Sequence, residues 1–414
     1  MRVLFTVSDW TSHYFPMVPL GWALQADGHE VRVLCPPRQA EPIRQAGLVP
    51  VPVLGELDMS FLSRFVNLRA ARAGGWRYPG VPLLHPRTCA PLASPDDVDF
   101  DELARDIGGQ VGRETARGAD AAVSFARRWR PDLVVHDRLS MDGVLAARAV
   151  GVPHVAHLWG SVGTHESSPA LHPVPVDRTG EFARFGLPPM SADLIEHVID
   201  PCPPSLSPPT LASRLPVRYV PYNGPAGDSS PAPAVNPSGR PRICVMWSNS
   251  VTQIYGEASY AVPEIVKATE DLDAELVILA HPDDREALRG LPPAVTVLEQ
   301  YPLRLLLPTC AALVHHGGAG TLMTALAAGV PQLALPFGAE QEADGERMAA
   351  TGAGLSLPGH LATAPAIRER VVRLLNVPGH REAAARLAKE NAARPTPAQL
   401  VPVLEDLARG SSGD

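Results

Sequence analysis

Apolar and polar positions in the first part of the chain follow a repeated order of strand, loop, helix and strand. Arg2–Val7 is a short apolar run, and a helix is predicted from about residue 16 to 27. Glu30–Cys35 then alternates apolar and polar positions as a strand does. The same order returns over residues 132–137, 142–151 and 153–158. This order is typical of βαβ units, so it predicts a parallel sheet covered by helices.

The second half of the chain repeats the arrangement. Strand-like runs occupy residues 242–247, 275–280, 295–298 and 311–316, and helix-like runs occupy 262–271, 302–308 and 321–328. The sequence therefore predicts an α/β protein with two Rossmann-like domains that face each other across a cleft.

Proline density marks the boundary between the two halves. Residues 201–241 are rich in Pro, Gly and Ser, which join sheets and helices poorly. We predict a first domain over 1–224, a linker over 225–239 and a second domain over 240–395. A C-terminal helix and tail follow over 396–414, and the sequence leaves open whether they pack back on the first domain. Residues 55–115 show no clear period and are interpreted as a substrate-facing insertion.

Composition narrows the class of protein. The chain has 414 residues, of which 45% are hydrophobic and 19% charged, as in a globular protein of two domains. The net charge of −8, without a long basic run, argues against nucleic acid as a partner. No apolar run is long enough to span a membrane. The chain starts without a secretory leader, and its five cysteines are scattered without a C-x-x-C pair, so we expect a cytoplasmic protein.

The most informative stretch is residues 314–321, "VHHGGAGT", which lies between a predicted strand and a predicted helix. A helix N-terminus offers free N–H groups and a positive dipole end, and glycines let an anion approach the backbone. We interpret the stretch as a diphosphate-binding turn. The alternative is a glycine turn that serves packing only. The stretch 314–321 matches neither the dinucleotide-binding fingerprint nor the Walker loop, which argues against a dehydrogenase or an NTPase.

The blocks "LLPTCAALVHHGGAGT" and "AAGVPQLALPFGAEQ" resemble the donor-binding region of GT-B-fold glycosyltransferases. More narrowly, the chain is similar to bacterial enzymes that attach deoxysugars from TDP-sugars to polyketide-type antibiotic aglycones. "TSHYFPMVPLGWALQADGHEVRV" and "DPCPPSLSPP" extend the likeness over nearly the whole chain. The resemblance implies an inverting, metal-independent transferase without a cofactor, with the TDP-sugar as co-substrate and a hydrophobic acceptor.

The resemblance also implies donor contacts. Those to the diphosphate are His315, Gly317, Gly318, Ala319, Gly320, Thr321, Asn249 and Ser250. Tyr301 and Leu303 would hold the nucleobase and ribose, although Gln300 stands where the family often has a tryptophan. Glu340 and Gln341 would face the sugar hydroxyls, where family members carry Asp-Gln.

The candidate base is His13, in the loop after the first strand. Imidazole suits a hydroxyl acceptor, because its ordinary pKa lies near working pH, and the resemblance places the family's catalytic histidine here. Asp137 is the first choice for its acidic partner, with Asp142 second and Asp9 weaker. Asp137 could instead cap the following helix, or act as the base itself if an aromatic carbon is the acceptor.

Two rival functions stay open at this point. A GT-B sugar-nucleotide epimerase would lack an apolar acceptor site, and an inactive auxiliary partner of a glycosyltransferase would lack the glycine turn and the base. The sequence contains the glycine turn and the candidate base, and the aromatic and aliphatic residues of 55–90 and 157–163 are candidates for the acceptor site. It does not determine the deoxysugar, the aglycone, O- against C-glycosylation, or whether the protein forms a homodimer.

Overall fold

A computed structural model describes residues 1–171, 174–225 and 239–410 of the chain. These residues form two compact units. Unit 1 comprises Met1–Asp58, Phe100–Gly224 and Ala393–Asp414, and unit 2 comprises Met59–Asp99 and Pro225–Ala392. The predicted linker 225–239 lies outside the described residues except at its two ends, as do the last four residues of the C-terminal tail.

The strands of the described residues are β1 Arg2–Thr6, β2 Glu30–Cys35, β3 Pro50–Pro52, β4 Leu83–Leu84, β5 Pro91–Leu92, β6 Leu133–Asp137, β7 His154–His157, β8 His197–Asp200, β9 Ser213–Pro216, β10 Arg242–Met246, β11 Glu275–Ala280, β12 Val295–Glu299, β13 Ala312–His315, β14 Gln332–Ala334 and β15 Gly354–Ser356.

The helices are α1 Val18–Ala26, α2 Ala40–Gln45, α3 Met59–Arg72, α4 Phe100–Trp129, α5 Met141–Val150, α6 Glu181–Arg184, α7 Asn249–Tyr255, α8 Val262–Thr269, α9 Leu303–Leu306, α10 Ala319–Ala328, α11 Ala339–Ala350, α12 Ala364–Asn376, α13 Pro378–Ala392 and α14 Pro397–Gly410.

Unit 1 is built on a seven-stranded parallel sheet in the order β3-β2-β1-β6-β7-β8-β9. Its inner strands are buried on both faces, which is why they are nearly continuous apolar runs. The strand order reverses between β1 and β6, which pair with Thr6 opposite His136. In open α/β sheets, ligands bind beyond the carboxyl ends of the strands at such a switch point.

Unit 2 contains a six-stranded parallel sheet in the order β12-β11-β10-β13-β14-β15. Its switch point lies between β10 and β13, with Met246 opposite His315 at their carboxyl ends. The prediction of two Rossmann-like domains is confirmed, because each unit has one doubly wound parallel sheet.

Residues 59–99 group with unit 2, whereas the sequence assigns everything before residue 225 to one domain. The physical reason is apolar burial. Helix α3 packs on α7, and Tyr78 and Val81 belong to the same buried cluster as Val245 and Phe337. This segment also contains regular structure, including α3, where the sequence showed no clear period.

Helix α14 contributes Leu400, Val401 and Leu404 to the buried cluster of unit 1 that includes Leu20 and Leu24 of α1. Burial of an apolar helix face is favourable, so the C-terminal segment stabilises the sheet that starts the chain.

No helix of the described residues combines the length and apolar character that a membrane span requires. All five cysteines are free thiols, three of them buried.

Candidate active site

The switch point of unit 2 brings two helix starts together. Because β10 and β13 are adjacent and parallel, the segments that follow them leave the sheet side by side. Helix α7 begins at Asn249 after β10, and helix α10 begins at Ala319 after β13. The residues predicted to contact the diphosphate therefore converge on one edge of one sheet.

The glycine turn, residues 315–321, connects β13 to α10. Gly317 adopts φ +89°, a conformation that side chains strongly disfavour, and a Cβ there would lie 3.1 Å from Cβ of Pro336. Gly318 occupies the N-cap of α10 and provides no capping side chain. The first N–H groups of a helix have no partner within it, so this end of α10 suits an anion.

Gly320 differs from Gly317, because its packing gives no reason for a glycine. It lies inside the first turn of α10, and a Cβ built on it has no heavy atom within 4 Å. Alanine is the better helix former at such a position. Open space beside the second residue of a helix is what an approaching phosphate needs.

His315 and His316 are both buried within unit 2. Nδ1 of His315 accepts a hydrogen bond from the Gly317 N–H at 3.1 Å. Burial, reinforced by the neighbouring His316, lowers the pKa of His315 to about 3, and burial lowers the pKa of His316 to about 4. Both imidazoles are neutral at working pH. In this conformation His315 supports the turn, and its direct contact with the diphosphate stays a prediction.

The start of α7 is held by local hydrogen bonds. Ser248 caps the helix, accepting from the Ser250 N–H at 3.3 Å and lying 2.8 Å from the Ser250 hydroxyl. The Asn249 side chain donates to Nδ1 of His281 at 3.1 Å. Asn249 and Ser250 thus lie at the predicted edge, and each side chain has a hydrogen-bond partner within unit 2.

The predicted sugar-binding pair lies on the first turn of α11. Glu340 and Gln341 are partly buried, and Oε1 of Gln341 accepts from the Phe337 N–H at 3.2 Å. A Cβ on Gly317 would lie 3.3 Å from Cβ of Gln341, so this residue packs against the glycine turn. The structure therefore places Gln341, which is predicted to bind the sugar, beside the turn that is predicted to bind the diphosphate.

The predicted nucleobase residues follow β12, at the edge of the sheet. Leu303 is 3% exposed and packs in the core with Leu306 and Leu313, so its side chain is committed to the fold. Tyr301 is partly buried against the same cluster. Gln300 adopts φ +49°, which is unusual for a residue with a side chain. Contact of Tyr301 and Leu303 with a nucleobase stays a prediction.

The switch point of unit 1 brings His13 and Asp137 to the same edge of its sheet. His13 ends the short 3₁₀ turn Thr11–His13 after β1, and Asp137 ends β6. Ser8 lies between them. Its hydroxyl is 3.1 Å from Nδ1 of His13, and its backbone N–H donates to Oδ2 of Asp137. Asp137 is thus linked to His13 through Ser8.

The His13 ring stacks on Trp159, with ring centroids 3.8 Å apart and planes 14° from parallel. The Arg138 guanidinium lies 4.6 Å from the centroid of the same indole. Burial, followed by the positive charge of Arg138, lowers the pKa of His13 to about 3. The imidazole is therefore neutral at working pH and can accept a proton through Nε2 when Nδ1–H donates to Ser8.

Asp137 has no exposed surface. Burial raises the pKa of its carboxyl group, and hydrogen bonds from Ser8 and the Leu139 N–H, the latter at 2.7 Å, oppose that shift. The Leu139 bond supports the turn into α5, so Asp137 also serves the helix start that the sequence offered as an alternative. Complete burial favours an orienting role over direct contact with an acceptor.

The two weaker acidic candidates have other partners. Asp9 accepts from Nε of Arg38 at 2.6 Å and from the Leu57 N–H at 2.8 Å. The Asp142 carboxylate packs against Gly118 of α4, and burial, with Glu181 nearby, raises its pKa to about 7. Neither arrangement directs these carboxylates to His13.

Sequence reasoning missed Ser8 as part of this site, and it noted Trp159 only within the apolar stretch 157–163, not as a partner of His13. Ser8 follows β1 directly, and Trp159 comes shortly after β7, two strands from β1 in the sheet. The only available signal was position, because residues just beyond the carboxyl ends of neighbouring parallel strands meet at one edge.

The chain contains two doubly wound parallel sheets. One has a neutral imidazole at its switch point, and the other has a glycine turn before a helix. GT-B glycosyltransferases have this arrangement. Family models described as Erythromycin biosynthesis protein CIII-like match the chain, the N-terminal model over residues 109–247 and the C-terminal model over 263–407. The chain belongs to this EryCIII-like family of glycosyltransferases.

Curated relatives and solved structures are similar over nearly the full length. The chain is 36% identical to aklavinone 7-β-L-rhodosaminyltransferase of Streptomyces galilaeus, covering 98% of this chain and 96% of the relative. It is 34% identical to 10-deoxymethynolide desosaminyltransferase of Streptomyces venezuelae, covering 99% and 97%. The structure of spinosyn rhamnosyltransferase SpnG with thymidine diphosphate is 29% identical with a TM-score of 0.75, covering 98% and 100%. SpnG has also been solved with spinosyn aglycone.

Proposed function

We propose that the chain transfers a deoxysugar from a TDP-sugar to a hydroxyl group of a polyketide-type aglycone, with inversion at the anomeric carbon. An aromatic carbon is the alternative acceptor atom. The neutral, hydrogen-bonded imidazole of His13 carries the proposal, because an acceptor hydroxyl must lose its proton as it attacks the anomeric carbon. The names of the relatives, which include an aklavinone rhodosaminyltransferase and a 10-deoxymethynolide desosaminyltransferase, support the acceptor class.

In this mechanism Nε2 of His13 takes the proton of the acceptor hydroxyl as its oxygen attacks the anomeric carbon. The positive charge that develops on the ring is stabilised by Asp137 through Ser8. The bond from the anomeric carbon to the diphosphate breaks, and the amides and dipole of α10 stabilise the leaving diphosphate. The products are the glycoside and TDP.

The proposal is tested by incubating the purified protein with a panel of TDP-deoxysugars and two aglycone classes, anthracyclinones and macrolactones, followed by mass spectrometry. The expected result is a glycoside whose formation depends on both substrates. Conversion of a TDP-sugar into its epimer without an acceptor would favour the epimerase instead. Absence of both reactions, together with absence of TDP binding by calorimetry, would favour an inactive auxiliary protein.

We expect His315→Ala to weaken TDP binding by ~1–3 kcal/mol, the cost of losing a hydrogen bond near a charged ligand. The variant removes the acceptor for the Gly317 N–H as well as any direct contact with the diphosphate. His315→Asn is the matched control, since a carboxamide oxygen can replace Nδ1 as that acceptor. Calorimetry on both variants separates the roles. Wild-type TDP affinity in His315→Asn would indicate that His315 supports the turn by accepting from the Gly317 N–H. Unchanged TDP affinity in His315→Ala would exclude both support of the turn and direct contact with the diphosphate.

We expect excess EDTA to leave turnover and TDP affinity unchanged. Among the residues that the structure describes, the one group with metal-ligand spacing is Asp27, His29 and Glu405 in unit 1, not beside the glycine turn of unit 2. The dipole and amides of α10 can neutralise the diphosphate without a metal. Turnover that is lost in EDTA and restored by Mg²⁺ would show that this expectation is wrong.

A cytoplasmic location and a homodimer complete the proposal. Five free cysteines suit a reducing compartment. Light scattering coupled to size-exclusion chromatography tests the homodimer.

A further inference from the structure

Tyr78 comes from the first half of the sequence but is buried in unit 2. Its side chain is 4% exposed. Its ring lies in an aromatic cluster, with centroid distances of 5.3 Å to Trp76, 5.3 Å to Tyr255 and 5.7 Å to Phe337. This packing restricts the orientation of the ring and therefore the position of its hydroxyl group.

The Tyr78 hydroxyl connects both ends of the first turn of α11. It accepts a hydrogen bond from the Gly338 N–H at 2.7 Å and donates to Oε1 of Glu342 at 3.3 Å. Arg77 reinforces the second contact, since its guanidinium lies 2.7 Å from Oε2 of Glu342. The residues between these anchor points are Ala339 and the proposed sugar-binding pair, Glu340 and Gln341.

The start of α11 needs an external support of this kind. Gly338 is its N-cap and provides no capping side chain. Its φ of +88° disfavours any other residue, and a Cβ there would lie 3.1 Å from the Tyr255 hydroxyl oxygen. A capping residue such as Ser or Asp is thus disfavoured by conformation and by space. The Tyr78 hydroxyl supports the helix start differently, because it accepts from the N–H of Gly338 itself, one of the N–H groups at a helix start that have no partner within the helix.

We propose that Tyr78 is a positioning residue for the donor sugar: its hydroxyl fixes the first turn of α11 and thereby the orientation of Glu340 and Gln341. The inference rests on the proposed function, in which these two residues face the sugar. It places part of the control over donor choice in residues 59–99, outside the sequence blocks that carry the family's donor motifs. TDP alone, which has no sugar for this turn to hold, does not depend on the Tyr78 hydroxyl.

The experiment compares Tyr78→Phe with wild type. Phenylalanine keeps the ring in the aromatic cluster and removes the two hydrogen bonds. Hydrogen exchange of the peptide containing residues 337–342 reports on the turn without any ligand. Calorimetry with TDP and with TDP-L-rhamnose, and the KM of the donor that supports transfer, report on the site. Tyr222→Phe is the matched control, because the Tyr222 hydroxyl has no hydrogen-bond partner among the described residues.

The expected result for Tyr78→Phe is faster exchange at 337–342, about tenfold higher KM and Kd for TDP-sugars, and an unchanged Kd for TDP; tenfold corresponds to the loss of about one hydrogen bond. Tyr222→Phe should match wild type throughout. The proposal is overturned if exchange at 337–342 becomes faster but the KM and Kd for TDP-sugars do not change. It is also overturned if the Kd for TDP rises as much as the Kd for TDP-sugars, or if exchange at 337–342 does not change. If wild type transfers no sugar and binds no TDP-sugar, the proposed function fails instead, which the wild-type measurements alone reveal.

Discussion

Gly320→Ala is expected to weaken TDP binding by about tenfold to a hundredfold while leaving the protein as stable as wild type or slightly more stable. The added Cβ meets no atom in the structure, and alanine favours the helix by up to about 1 kcal/mol over glycine. The same Cβ would occupy the space through which a phosphate reaches the amides of α10. Losing one or more hydrogen bonds to a charged group costs ~1.5–3 kcal/mol, which gives the expected range in affinity.

Gly379→Ala is the matched control. Gly379 is the second residue of α13 as Gly320 is the second residue of α10, both lie in unit 2, and a Cβ on either meets no atom within 4 Å. Calorimetry with TDP and thermal melts on both variants separate a ligand effect from a helix effect. Equal TDP affinity in Gly320→Ala and wild type would contradict a diphosphate at this turn, and Gly320 would then have no explanation in the structure.

The strands and helices around both switch points could be predicted because their signals are local. β2 is observed at its predicted bounds, Glu30–Cys35, and β13 differs from its prediction by one residue at each end. These strands are buried on both faces, so burial leaves an apolar run in the sequence. The glycine turn was equally visible, because its glycines and the helix start are consecutive in sequence.

Other features depend on contacts between distant residues. The first half of helix α4 lies in the region 55–115 that the sequence left without a clear period. Leu103 and Ile107 are the only buried side chains among the described residues there, and two apolar residues among polar ones are a weak local signal. The assignment of residues 59–99 to unit 2 depends on Tyr78 packing against Phe337, which no local pattern reveals.

The arrangement of the active site also depends on contacts between residues that are distant in sequence. His13 and Asp137 could each be predicted from their position after a strand, but their relation could not. The structure places Ser8 between them, because Asp137 accepts the Ser8 N–H at the edge where β1 and β6 are adjacent. A hydrogen-bonding hydroxyl next to a strand end is too common to single out from sequence.

His13→Ala is expected to lower kcat by ~10²-fold or more and to leave TDP affinity unchanged, in line with the contribution of a general base. His13 belongs to unit 1, whereas the glycine turn belongs to unit 2. Because the pKa of His13 is lowered to about 3, the base form is present at neutral pH and is lost only as the pH falls through that value. In wild type, protonation of free His13 should therefore not reduce kcat/KM between pH 8 and its ordinary pKa of about 6.5.

Asp137→Asn and Ser8→Ala distinguish the roles in this site. Asparagine keeps the shape of the side chain but replaces one of the two oxygens that accept from Ser8 and Leu139. One of these N–H donors then faces the amide N–H of the asparagine, so both stability and turnover should fall. Ser8→Ala keeps the Asp137 carboxylate and the backbone hydrogen bond to it, and removes the hydroxyl that connects Asp137 to His13. If Asp137 acts through Ser8, Ser8→Ala lowers kcat without affecting TDP binding. Melting temperatures of all three variants show how much of each loss is folding.

The outcome for turnover and TDP affinity together decides which group is the base. Full turnover in His13→Ala with none in a folded Asp137→Asn would make the histidine a bystander and the aspartate the base, as attack by an aromatic carbon would allow. The complete burial of Asp137 argues against that result, since the carboxylate would first have to be uncovered. A parallel loss of TDP affinity and turnover in His13→Ala would instead make His13 a donor ligand. If His13 is the base and Asp137 orients it through Ser8, His13→Ala should lose turnover and keep its TDP affinity. Ser8→Ala should then show a smaller loss of turnover, also with unchanged TDP affinity.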